Sequence, residues 1–346
     1  MSIPKNVVLT DAVSEVLQNF IRENSFDKIV FLVDENSNQY CLPKLQLDFS
    51  YQIIEVKSGE TEKTLATCQN IWRGLTSMQL SRNSLMINLG GGVITDMGGF
   101  VAATYKRGIN FCNIPTTLLA QVDASIGGKV GVDFEGLKNH IGVFQEPNLV
   151  ILDTTFLDTL DERQLRSGFA EVIKHGLIYD HNYWLAISQE KFSERLDWNR
   201  LLERSVYIKG EVVKVDPTEK GLRKILNFGH TLGHAIETHF LEKANSLLHG
   251  EAIAVGMILE AKLSEMSLGL TNRELLGISG YIAGNFDKVD LPEIEEIASL
   301  LKQDKKNEGN QINFSLLSSI GKCEWNIRVT TSDIAEAYEF YNALYE

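Results

Sequence analysis

Short apolar runs alternate with amphipathic stretches through the first half of the chain. The runs at 6–9, 28–33, 51–56, 85–89, 111–114 and 149–152 are rich in Val, Ile, Leu and Phe and read as strands. Between them, 11–23 and 61–79 repeat their apolar residues at helical spacing, with Thr10 or Asp11 as the cap of the first and Thr61 as the cap of the second. Strands separated by helices imply parallel pairing through right-handed crossovers. The pattern predicts an α/β, Rossmann-like domain over residues 1–160.

After Asp153 the texture changes. Segments 162–186, 196–214, 226–243 and 250–268 carry helical periodicity with few β-branched runs. Asp290-Leu291-Pro292 has the form of a helix start, and 332–345 reads as a closing amphipathic helix with Ser332 as its cap. The expectation is an all-α C-terminal domain over 161–346. A ligand crevice between the two domains is the usual place for a site.

Composition narrows the function classes. The chain has 346 residues, 44% of them hydrophobic and 23% charged, which is ordinary for a water-soluble globular protein. A net charge of −13 leaves no basic stripe for nucleic acid. No apolar run reaches membrane-spanning length, and residues 1–10 lack a charged-then-apolar signal pattern. Cys41, Cys68, Cys112 and Cys323 have no C-x-x-C spacing and read as reduced thiols of a cytoplasmic protein.

Candidate chemistry begins at Gly90-Gly91-Gly92, between the run 85–89 and a helical stretch from Val93. Glycine lets backbone approach a pyrophosphate, and helix N-terminal amides attract its charge. The string GGGVITDMGG is not the G-x-G-x-x-G fingerprint, and a tight strand–helix turn also needs glycine, so both readings stand. Asp96 fits a ribose contact or an amide cap. Asp34, at the end of the second strand, fits a ribose contact or a solvated strand end. Thr116 and Thr117 follow a strand, where they contact a ligand or cap the next helix. The string 123–129 (DASIGGK) sets a carboxylate and Lys129 around a Gly-Gly pair, without Walker A spacing.

One carboxylate, Glu171, and two imidazoles, His230 and His249, make a ligand set that leaves a divalent metal such as zinc with open positions. Glu171 and Lys174 are spaced i, i+3, which on an exposed helix is an ordinary surface ion pair. His230 and His234 are spaced i, i+4, with Glu237 extending that stripe; the pair reads as a metal pair or as surface or capping histidines. Thr231 after the first histidine disfavours a zincin peptidase. Lys209, Arg223, Asn227 and His249, with Lys129, would together suit a phosphate and a carboxylate. Asp304-Lys305-Lys306 reads as a loop able to close over such a pocket or as a solvated charged turn.

Read in order, six strings carry a resemblance: GGGVITDMGGFVAATYKRG, PTTLLAQVDASIGGKVGVDFEGLKNHIG, GFAEVIKHG, DPTEKGLRKILNFGHTLGHAIE, LHGEAIAVGM and DKKNEG. They resemble the 3-dehydroquinate synthases of the sugar phosphate cyclase superfamily, enzymes of the shikimate pathway. The resemblance implies NAD⁺ at Asp34, Glu60, Lys63, Gly91, Gly92, Val93, Asp96, Thr116, Thr117, Lys138 and Thr159. It implies Zn²⁺ or Co²⁺ at Glu171, His230 and His249. Substrate contacts and catalysis carry over to Asp123, Lys129, Asn139, Lys174, Lys209, Arg223, Asn227 and His234, and to Lys305 or Lys306. Glu219 and His234 match positions with proton-transfer roles, and Arg107 matches a position that the family supplies across a homodimer interface. Ala124 stands where many relatives have serine, a departure that bears on one hydrogen bond to cofactor or substrate.

The reaction so implied converts 3-deoxy-D-arabino-heptulosonate 7-phosphate to 3-dehydroquinate and phosphate. Transient oxidation by NAD⁺ acidifies the adjacent carbon, phosphate is eliminated, the hydride returns, and an intramolecular aldol closes the carbocycle. The net change is that of a carbon–oxygen lyase. Two other classes share parts of the pattern. A metal-dependent polyol dehydrogenase shares the glycine turn but takes neutral substrates, with no need for Lys129, Lys174, Lys209 and Arg223 together. A non-catalytic NAD-binding protein would be marked by loss of a metal ligand.

Overall fold

Six apolar runs pair into one fully parallel sheet, in the order Val7–Leu9, Leu149–Leu152, Asn110–Pro115, Leu85–Gly90, Ile29–Asp34, Gln52–Val56. In chain order the elements around it are β1 (Val7–Leu9), α1 (Val13–Asn24), β2 (Ile29–Asp34), β3 (Gln52–Val56), α2 (Leu65–Ser77), β4 (Leu85–Gly90), α3 (Gly92–Thr104), β5 (Asn110–Pro115), β6 (Lys129–Phe134), β7 (Leu137–Phe144) and β8 (Leu149–Leu152). The computed structural model describes residues 3–193, 196–241, 243, 245–303 and 312–346.

The four inner strands, β2, β4, β5 and β8, are buried on both faces and are largely apolar. Val30, Leu32 and Met86 pack with Ile71, Leu75, Met97 and Val101 of α2 and α3. Phe31, Val33, Leu85 and Ile87 face the other way and pack with Val13 and Leu17 of α1. This is the Rossmann-like α/β domain that the alternation of elements predicts.

The structure moves three caps. Ala12, not Thr10 or Asp11, precedes α1, although Thr10 Oγ1 still accepts from the Ala12 amide at 2.9 Å. Thr61 lies in a single 3-10 turn, and α2 starts later, where Thr64 accepts from the Thr67 amide. Thr330, not Ser332, caps the closing helix, in a capping box with Asp333.

An antiparallel ribbon, β6–β7, lies outside the expected strand set. Its two turn residues, Glu135 and Gly136, both adopt positive φ (52° and 74°), the backbone of a tight hairpin turn.

Two units divide the chain: Met1–Asp161 with Trp198–Gly210, and Glu162–Asp197 with Glu211–Glu346. The second contains α4 (Glu162–Tyr179) and α5 (His181–Ser188), and α6 (Trp198–Val215) begins in the first unit and ends in the second. Then come α7 (His230–Phe240), α8 (His249–Leu268), α9 (Asn272–Ala283), α10 (Ile294–Gln303), β9 (Asn313–Ser319), β10 (Lys322–Arg328) and α11 (Thr331–Ala343). Residues 198–210 therefore pack outside the expected second domain. Asn199 accepts from Thr154 at 2.9 Å and Lys209 is paired with Asp123.

The second unit is helical but not all-α, because β9 and β10 form an antiparallel hairpin. The expected single helix 162–186 breaks at Asp180, whose carboxylate accepts from the Asn182 and Tyr183 amides. The expected helix from 226 begins instead at His230, because Gly229 takes left-handed backbone (φ 79°). A side chain at Gly229 would also collide with Met257 of α8.

Candidate active site

β4 ends at Gly90 and α3 begins at Gly92, with Gly91 as a cap that offers no side chain to the first-turn amides. The Thr116 amide donates to the Gly90 carbonyl at 3.0 Å, and Thr117 packs beside Gly91. Thr117 also accepts from the Ala120 amide at 3.2 Å, the capping half of its two readings. Val93 is partly exposed in the first turn of α3, and Ala124 lies next to Gly92.

Lys63 gathers several of the predicted residues. Its Nζ donates to Asp96 Oδ2 at 2.7 Å and to Asn139 Oδ1 at 2.6 Å. Lys138 stands 3.5 Å from Glu60. Burial alone would lower the Lys63 pKa, but Asp96, then Glu60 and Asp133, outweigh it and hold the amine charged. Asn139 was assigned to substrate by resemblance, yet here it hydrogen-bonds the lysine assigned to NAD⁺.

The remaining predicted residues of this unit are more dispersed. Asp34 Oδ1 accepts from the Ser37 amide at 2.7 Å at the end of β2. Thr159 donates to the Phe156 carbonyl at 2.6 Å. Lys129 is exposed at the start of β6. Arg107 is exposed after α3, where Lys106 and Arg107 both have positive φ. Lys209 is buried and donates to Asp123 Oδ1 at 2.6 Å and to the Asp123 carbonyl.

In the second unit three helices bring the proposed metal ligands together. Glu171 is fully buried on α4. Its Oε1 stands 3.4 Å from His230 Nε2 and 3.6 Å from His249 Nε2, while its Oε2 pairs with Lys174. The Glu171–Lys174 pair is thus buried and not the solvated surface pair its spacing also allowed. His230 Nδ1 lies 3.1 Å from the Phe228 carbonyl and His249 Nδ1 lies 3.3 Å from Glu237 Oε2. A carbonyl and a carboxylate only accept, so each Nδ1 carries a proton, which leaves each Nε2 as the ring nitrogen a metal would engage once it gives up any proton shared with Glu171.

This donor set fits a divalent metal: two imidazole Nε2 atoms and one carboxylate oxygen converge. His234 adds a third imidazole, its ligand atom within 4.8 Å of those of His230 and His249. Burial alone would lower the His249 pKa, but the charge of Glu237, then the hydrogen bonds to Glu171 and Glu237, raise it to about 9.

The turn between α6 and α7 carries the other polar residues. Asp216 accepts from the amides of Lys220, Gly221 and Arg223 at 3.0, 2.7 and 3.0 Å. Arg223 is buried and anchored by donating to the Pro217 carbonyl at 2.6 Å. Asn227 donates to Glu219 Oε1 at 2.6 Å, and Glu219 is held at φ 60°. Lys305 and Lys306 lie outside the described residues.

Residues 53–167 match the model for the 3-dehydroquinate synthase N-terminal region, and residues 168–307 match that for its C-terminal region. The chain belongs to the 3-dehydroquinate synthase family. A 3-dehydroquinate synthase of Parabacteroides distasonis is 42% identical over 348 residues, covering 99% of this chain and 98% of that one.

Among solved structures, ValA, a 2-epi-5-epi-valiolone synthase from Streptomyces hygroscopicus with NAD⁺ and Zn²⁺ bound, matches with a TM-score of 0.86 at 25% identity. It covers 99% of this chain and 98% of its own. A 2-deoxy-scyllo-inosose synthase complexed with carbaglucose-6-phosphate, NAD⁺ and Co²⁺ matches with a TM-score of 0.82 at 26% identity, covering 96% of this chain and 95% of its own.

Four carboxylates that hold candidate residues or their backbone have no role assigned by the sequence: Asp133, Asp216, Glu237 and Glu260. Only Glu237 left a signal, since it extends the His230–His234 stripe. Asp133, which accepts from the Asn139 amide at 2.6 Å, and Glu260 are recognisable only from their backbone partners.

Proposed function

We infer that the chain is a 3-dehydroquinate synthase. It converts 3-deoxy-D-arabino-heptulosonate 7-phosphate to 3-dehydroquinate and phosphate as an NAD- and metal-dependent carbon–oxygen lyase. The observation that carries the reading is the meeting of His230 Nε2 and His249 Nε2 at one oxygen of buried Glu171. It occurs in a chain 42% identical over 99% of its length to a 3-dehydroquinate synthase.

Bound NAD⁺ supplies a reversible hydride acceptor, and a bound Zn²⁺ or Co²⁺ supplies a Lewis acid that acidifies substrate hydroxyls. Residues 1–160 form the NAD-binding domain in this reading. The amides at Gly91, Gly92 and Val93 take the pyrophosphate, with Thr116 and Thr117 beside them. Asp34, Glu60, Lys63, Asp96, Lys138 and Thr159 hold the rest of the dinucleotide. Residues 161–346, apart from 198–210, form the metal- and substrate-binding domain, in which Glu171, His230 and His249 are the metal ligands.

Lys129, Asn139, Lys174, Lys209, Arg223 and Asn227, with Asp123 holding Lys209, bind the phosphate and carboxylate of the substrate. Lys305 and Lys306 extend that set. Cations aimed at a departing phosphate stabilise the charge it gains on elimination. Glu219, with one oxygen fixed by Asn227, and His234 move protons during elimination and ring opening. The hydride removed from the substrate is returned to it within one turnover, so there is no net oxidation.

The reading includes a cytoplasmic homodimer in which Arg107 completes a partner's site. All four free cysteines are buried, which suits a reducing compartment.

The test is product formation by the purified chain given the heptulosonate phosphate, NAD⁺ and Zn²⁺. 3-Dehydroquinate should appear, cease with a chelator, and return on adding Zn²⁺ or Co²⁺. A loaded, folded enzyme that makes none refutes the reading.

A further inference from the structure

α7 and α8 each carry a buried carboxylate that the chemistry above does not use. Glu260, on α8, is fully buried. Its Oε2 accepts from the Gly229 amide at 2.6 Å and its Oε1 from the Leu232 amide at 3.0 Å. Those amides flank His230, the first residue of α7, and a carboxylate there also complements the positive end of the helix dipole. Glu237, on α7, is buried as well, and its Oε2 meets Nδ1 of His249, the first residue of α8.

Each helix therefore sends one carboxylate across to the histidine end of the other. The two helices approach so closely that a side chain at Gly256 would overlap the Gly229 carbonyl. Desolvating a carboxylate costs more than burying an apolar side chain of similar size, so packing alone does not account for two of them here.

We propose that Glu260 and Glu237 are positioning residues of the metal centre: Glu260 fixes the backbone that carries His230, and Glu237 fixes the ring of His249. The proposal rests on the reading of Glu171, His230 and His249 as metal ligands. Through its two amides Glu260 holds the turn at which Phe228 accepts from His230 Nδ1, which turns His230 Nε2 toward Glu171. Glu237 does the same for His249 from the side chain itself. Partners of this kind tune metal affinity without touching the metal.

The test uses the purified full chain and measures Zn²⁺ affinity by chelator competition, the visible spectrum of the Co²⁺-loaded protein, and the thermal midpoint of the metal-free protein. Glu237→Ala should weaken Zn²⁺ binding about 10–100-fold and alter the Co²⁺ spectrum, and Glu237→Gln, which keeps an acceptor, should recover part of the loss. Glu260→Gln places an amide NH₂ against a backbone N–H and should weaken Zn²⁺ binding to a similar extent. A purely structural role would lower the thermal midpoint while the folded variants bound Zn²⁺ and Co²⁺ as the unmodified chain does, and that result would overturn the proposal. If Glu260→Gln does not fold, Glu237→Ala and Glu237→Gln decide it. Failure of the underlying ligand reading looks different: Glu171→Ala would then bind Zn²⁺ as tightly as the unmodified chain.

Discussion

Lys209 Nζ lies 2.6 Å from Asp123 Oδ1, and the lysine side chain is almost fully buried. This pair ties α6 to the turn that follows β5, so residues 198–210 pack with the α/β unit despite lying far along the chain. Lys209→Ala should leave the Asp123 carboxylate without this cation and lower stability by about 1.5–3 kcal/mol, the range for hydrogen bonds to charged groups. Denaturant unfolding measures it, and Asp123→Asn should recover part of the loss in the double variant. An unchanged midpoint for Lys209→Ala would show the pair to be dispensable.

Metal uptake should depend on pH through His249. In the metal-free chain its pKa is raised to about 9, so near neutral pH the ring is protonated and a metal must displace that proton. Apparent Zn²⁺ affinity should therefore rise about tenfold per pH unit between neutrality and pH 9, then flatten. The stability of the metal-free fold runs the opposite way. The contribution from charged His249 is present below the unfolded histidine pKa and is lost as pH rises through about 9. Chelator competition from pH 7 to 9.5 reads the first effect, and an affinity independent of pH would contradict it.

In the proposed reading Arg223 grips the carboxylate of the substrate. Arg223→Lys keeps the charge but removes the planar fork, together with its donation to the Pro217 carbonyl. Productive binding of the heptulosonate phosphate should weaken by about 1–3 kcal/mol. NAD⁺ affinity should hold, because Arg223 belongs to the unit without the glycine turn. Steady-state kinetics and NAD⁺ titration separate these outcomes; unchanged turnover would remove Arg223 from the carboxylate.

Much of the fold is legible because the sheet strands are continuous apolar runs bounded by polar segments. All six runs became strands of one sheet, and the glycines at 90–92 became the β4–α3 turn. The two hairpins were not anticipated. Glu135-Gly136 and Ile320-Gly321 are short turns between segments whose alternation is too weak to mark strands. Thr61 and Ser332 failed as caps because each lies within three residues of a better placed threonine, Thr64 or Thr330. Burial of the Glu171–Lys174 pair is tertiary information, since i, i+3 spacing says only that the two share a face. Glu260 was silent for the same reason: its partners are backbone amides 28 and 31 positions away in sequence.

The stoichiometry of one reaction tests the central claim most directly. The purified, Zn²⁺- and NAD⁺-loaded chain is mixed with 3-deoxy-D-arabino-heptulosonate 7-phosphate while phosphate release and NADH absorbance are followed together. Because the hydride is returned in each turnover, phosphate should accumulate over many turnovers with no net NADH, and removing bound NAD⁺ should stop it. NADH accumulating in step with substrate consumed, without phosphate release, would contradict the account and make the chain a dehydrogenase.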